Sequence, residues 1–166
     1  MPASLLLMKG IGINAGNYVN TSHDFSFTTL DSANIAANVA PLGRPAAGVN
    51  LSYESWLVLQ IETAPENAVT NFRFWSSGFD PAQGARMFVG TAYASATPTI
   101  NKSTIADTSA SKYNAPDNSL VWWNNNLTSI GDKTRYLVMQ LRIDPSASLG
   151  TIYDSRCVYH YSYDES

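Results

Sequence analysis

The chain has 166 residues, 45% hydrophobic and only 14% charged, with ten Lys and Arg against thirteen Asp and Glu and a formal net charge of −3. Soluble domains average about 25% charged residues and one domain per 100–200 residues, so a single domain solvated mainly by Asn, Ser and Thr is expected. No basic stripe marks a nucleic-acid interface, the longest apolar run (residues 5–8) is far short of a membrane span, and 11% aromatic residues argue against intrinsic disorder.

In chain order, residues 1–22 carry Gly, Asn and Leu without a clear period, and read as an N-terminal arm. Leu5, Leu6 and Leu7 fall outside any alternating strand pattern, so they are candidate contacts for a partner. The opening MPASLLLMK has no basic residue ahead of its short apolar stretch, so it does not read as an export signal, and synthesis in a reducing cytoplasm is expected. From residue 23 a β domain is predicted to run to residue 166. Residues 23–29 form a short strand carrying Phe25 and Phe27, and residues 31–40 are the only short helix, with Asp31 as its N-cap.

Period-two alternation then dominates. Over 53–62, Leu57, Leu59 and Ile61 share one face, opposite Trp56, Val58 and Gln60; over 69–75, Phe72 and Phe74 do the same. Residues 86–93 form another strand, in which Gly90 marks a bulge or a close approach. Residues 94–123 are the least regular, a polar excursion with a short strand at 120–123 and a natural place for partner contact. Residues 135–144 alternate Leu137, Met139, Leu141 and Ile143 against Val138, Gln140 and Arg142, and the closing strand aligns Cys157, Tyr159, Tyr161 and Tyr163. Stretches such as PLGRPAAGVN, NAPDNS and DPSASLG supply the turns. The expected fold is all-β: a single β-sandwich, jelly-roll or immunoglobulin-like, with long irregular loops.

Chemistry is scarce in this sequence. One cysteine, Cys157, and two histidines, His23 and His160, allow no intramolecular disulfide and no Cys/His zinc cluster. His23 and Asp24 are strand neighbours and point to opposite faces, so they form no dyad. The acidic residues sit mostly in turns, and GIGINAG lacks the strand–turn–helix setting of a dinucleotide site. No enzyme activity, cofactor or metal is expected. The aromatics are more informative. Trp75, Trp122 and Trp123, with Tyr93 and Tyr113, suit either a protein interface or a sugar-stacking platform, with core packing the plainer explanation for one of the paired tryptophans.

Two stretches, YESWLVLQIETAPENAVTNFRFWSSG and YLVMQLRIDPSASLGTIYDSRCVYHYSYDES, together with Gly90-Thr91, Pro98-Thr99 and residues 103–106 between them, give a resemblance over residues 50–166. It is to small all-β virion structural proteins encoded among tailed-virus head genes. The resemblance implies a capsid decoration (cement) protein that binds the major capsid protein, self-associates as a homotrimer, is assembled in the host cytoplasm and resides on the capsid surface. A carbohydrate-binding or adhesin module that takes a glycan is the alternative from another class, and a tail or baseplate component is a variant of the first.

Overall fold

A computed structural model describes residues 2–21, 27–32, 40–77, 84–147 and 158–166. Ten strands are present among them: β1 (Ser4–Ile11), β2 (Asn17–Asn20), β3 (Asn50–Leu51), β4 (Ser55–Thr63), β5 (Val69–Ser77), β6 (Ala85–Ala92), β7 (Thr108–Ser109), β8 (Leu120–Trp123), β9 (Tyr136–Ile143) and β10 (Val158–Glu165). The larger sheet runs β2-β1-β4-β9-β6-β7, with β3 also paired to β9, and the smaller runs β10-β5-β8. All pairings are antiparallel. From β4 to β6 the chain passes from large sheet to small and back, and β8, β9 and β10 repeat the alternation.

The protein is therefore an all-β sandwich, as its periodicity predicts. Leu57, Leu59 and Ile61 of β4, Leu137 and Met139 of β9, and Met87 and Val89 of β6 form one apolar layer. Phe72 and Phe74 of β5, with Trp122, Tyr159, Tyr161 and Tyr163, pack in the same cluster from the smaller sheet. Burying each large apolar side chain contributes roughly 1.5–3 kcal/mol, so this interlayer cluster is the main source of stability.

The N-terminal arm is a correction. Residues 4–11 are a full strand, paired on one side to β2 and on the other to β4. Leu5 and Leu7 face Ile61 and Leu59 in register and are buried in the main core. Leu6 and Met8 are half-buried. Four consecutive apolar residues, Leu5 to Met8, followed by Lys9 on the core face leave no period-two contrast, so the run hides the strand. The predicted helix at 31–40 lies mostly outside the described residues. The predicted strand at 23–29 does so too, although Phe27, at its end, packs edge-on to Tyr159 at 6.3 Å.

The excursion after β6 is anchored rather than free. Buried Gln140 accepts from the Ser103 N–H at 3.0 Å and donates to the Asn101 and Ser52 carbonyls at 2.7 and 3.0 Å. Ser103 Oγ in turn accepts from the Ile105 and Ala106 N–H groups, and Glu54 accepts from the Thr99 N–H. These bonds fold residues 97–106 over the outer face of the large sheet. Ala106 there joins Trp56, Val138 and Ala15 in a second apolar cluster, so both faces of β4 are buried.

Candidate interaction surfaces

The outer face of the smaller sheet carries an ordered array of half-buried side chains. On β5 the inward residues Phe72 and Phe74 leave Arg73, Trp75 and Ser77 pointing away from the core. Register pairs Trp75 with His160 and Arg73 with Ser162 of β10. The Trp75 and His160 rings lie 5.2 Å apart and 5° from parallel, a stacked pair. Ser77 Oγ and His160 Nε2 share a hydrogen bond of 2.9 Å. Asn71, in the left-handed region at φ 53°, accepts from Arg73 Nε and donates to Asp164, each at 2.8 Å. Asparagine tolerates that conformation better than most residues.

A hydroxyl and an imidazole at this separation have the reach of a nucleophile and its base. Among the described residues no carboxylate hydrogen-bonds His160 to hold its tautomer, so the third member of a catalytic triad is not in place there. No group of three His, Cys, Asp or Glu side chains among the described residues can hold a metal ion. Cys157 and His23 lie outside the described residues.

A second aromatic surface lies at the edge of β8. Trp122 is buried, and its indole N–H donates to the Arg135 carbonyl at 2.8 Å. The Arg135 guanidinium returns to the Trp122 carbonyl and, at 2.8 Å, to the Val121 carbonyl. This reciprocal clasp sets Arg135 over the Tyr93 ring, 5.0 Å from its centroid. Tyr93, 74% exposed, also tilts against half-buried Trp123 at 5.7 Å.

The sequence candidates thus separate. Trp75 belongs to the outer face of the small sheet and Trp123 to the Tyr93 edge. Trp122 is core, made possible by a register shift in the β5–β8 ladder that brings it inward next to the Phe72–Trp123 pair. Tyr113 packs against the main core while its carbonyl accepts from the Ser76 N–H at 2.8 Å, so it braces β5. Leu5 and Leu7 are core residues, not partner contacts on a free arm. His160, Ser77 and Arg135 were not legible as surface partners, because each meets its neighbour through strand register or a distant loop. No family, curated protein or solved structure matches this chain.

Proposed function

We propose that this protein is a virion structural component, a capsid decoration protein that docks on the major capsid lattice and stabilises it, acting as a homotrimer on the capsid surface after assembly in the host cytoplasm. The observation that carries this reading is the outer face of the small sheet, with Trp75 stacked on His160 beside the Arg73–Asn71–Asp164 chain of hydrogen bonds. Its side chains already hold one another in place, so little rotamer freedom remains to be lost on docking. An aromatic centre with polar, mutually satisfied neighbours also has the composition of a protein interface. The strands that build it, β5 and β10, come from the two stretches that resemble head-gene proteins.

The physical task is modest. A protein that binds the assembled lattice better than its free subunits shifts the assembly equilibrium by mass action, with no chemistry required. Closed three-fold symmetry would let one face meet several capsid subunits.

The test is to mix the purified protein with empty capsids of the same genome and image them. Density at lattice symmetry axes, with the small sheet facing the capsid, is the expected result. Trp75→Ala should weaken occupancy by about tenfold, the usual cost of truncating an aromatic anchor. Unoccupied lattices would overturn the proposal. If glycan-array binding then appeared and were lost in Tyr93→Ala, the exposed Tyr93–Trp123–Arg135 edge would make the carbohydrate-binding reading the better one.

A further inference from the structure

Three of the ten cationic side chains converge on one cleft of about 420 Å³ on the outer face of the large sheet: Arg86, Lys102 and Arg142, with Asp144 at its rim. Arg86 of β6 stands directly opposite Arg142 of β9 in the ladder. Like charges directly opposite on adjacent strands repel, so this pairing costs stability unless an anion sits between them. Among the described residues neither arginine, nor Lys102, closes an ion pair with a carboxylate. Asp144 is hydrogen-bonded by Ser146, through its N–H at 2.8 Å and its hydroxyl at 2.5 Å, and feels the attraction of Arg86 without an ion-pair contact.

The cleft is also built rather than merely charged. The Arg142 guanidinium carbon lies over the Phe88 ring, 3.5 Å from its centroid, and the group donates to the Ala106 carbonyl at 2.7 Å, which holds it in place. Burial lowers its pKa, partly offset by Asp107, so its positive charge is poorly solvated where it stands. Phe88, Leu51 and Val49 supply apolar wall. Val49 and Leu51 also border an adjoining hollow of about 340 Å³ that contains Leu42 and Ile100. The cationic cleft thus continues along β3 into a hollow of mixed lining, to which Thr29 and Asn50 also contribute.

We propose that this groove binds an acidic peptide segment of a protein partner, with a carboxylate between Arg86 and Arg142 and a neighbouring apolar side chain along Val49 and Leu51. Two planar guanidiniums on adjacent strands suit a carboxylate, and the apolar wall of Phe88, Leu51 and Val49 favours a peptide over an inorganic oxyanion. The net charge of −3 would repel an acidic segment everywhere except at such a local patch, which makes the groove selective. The groove lies on the sheet opposite the proposed capsid-docking face, so either site can fail without the other.

The experiment titrates the isotope-labelled full chain, at low salt, with acetyl-Phe-Glu-Leu-Glu-amide and follows amide and arginine side-chain resonances. Saturable shifts confined to residues 49–51, β6, β9 and the 97–106 loop are expected, with the Gln-for-Glu peptide at least about tenfold weaker. Arg86→Gln and Lys102→Gln, both at exposed positions, should each weaken binding severalfold while leaving the remaining spectrum unchanged. Equal affinity for the Gln peptide, shifts elsewhere, or no saturable shift would overturn the proposal. So would inorganic phosphate giving the same shifts at equal or lower concentration, which would make this a simple oxyanion site.

Discussion

Lys9 stands where the alternation of β1 calls for an apolar residue. It shares the face of Leu5 and Leu7, is 1% exposed, and its ammonium donates to the Ser32 carbonyl at 2.8 Å. Burial pulls its pKa from 10.5 down to about 8, with attraction to Asp31 acting the other way. The unfolded chain therefore holds this proton more tightly than the fold does, and stability must rise with pH between about 8 and 10.5. Below pH 8 the lysine is charged in both states, and its burial destabilises the fold on the order of 3 kcal/mol. Tyr18 and Tyr161 are shifted upward, chiefly by burial, so they lose stability only as pH climbs beyond 10. Urea unfolding from pH 8 to 10 should thus show a rising midpoint in the native chain and a flat one in Lys9→Met. A rise in both would place its origin elsewhere. Gly90 makes a complementary point about backbone. A Cβ there would sit 2.0 Å from the Ile105 carbonyl oxygen, so Gly90→Ala must push the covering loop off the sheet. A loss of about 2 kcal/mol in chemical denaturation is expected, typical of overpacking; an unchanged midpoint would mean that the loop gives way freely. The close approach at Gly90 was legible because glycine inside a strand has few other uses. Lys9 was not, since nothing in a lysine's neighbours along the chain reports that it is buried.

At the scale of elements, β4, β5, β6, β9 and β10 were legible because their sequences alternate, with a polar residue such as Gln60, Arg73, Arg86, Gln140 or His160 on the face away from the core, and β8 was legible as a short aromatic run. β1 escaped for the opposite reason. Its apolar run, Leu5 to Met8, is unbroken and its one charged residue, Lys9, falls on the core face, so no alternation survives in the sequence. Its importance can be measured. Removing residues 2–11 strips β4 of a partner and takes Leu5 and Leu7 out of the core, about 3–6 kcal/mol from those two side chains alone. That is a large share of a typical net stability of roughly 5–15 kcal/mol. The truncated chain should lose its near-ultraviolet circular dichroism and bind a hydrophobic dye, whereas a dispensable arm would leave both signals unchanged. The 97–106 excursion was legible as irregular but not as a lid, because its anchors, Gln140 and Glu54, are polar residues that alternation assigns to an open face. The cationic groove was equally invisible: Arg86, Lys102 and Arg142 are far apart in sequence and meet only through the β6–β9 register and this folded loop.

For the molecule as a whole, the low charge content acquires a second meaning. Ser52, Ser76, Ser103, Thr134 and Gln140 are all buried and hydrogen-bonded, so part of the neutral polar complement serves the interior by holding loops to sheets. The rest leaves a surface on which the Trp75 face and the Arg86–Arg142 groove stand out. The alternation of the chain between sheets has a further consequence, for the order in which structure can form. β9 occupies the middle of the large sheet, with β6 along one side and β4 and β3 along the other, yet it is the penultimate strand described. During synthesis β4 and β6 must therefore wait, each with an unpaired apolar edge, until residues 136–143 emerge from the ribosome. Such distant pairings close slowly and leave sticky edges exposed meanwhile. The nascent chain is at its greatest risk of aggregating just before its ninth strand arrives, and inserting that strand is the step that commits it to the fold.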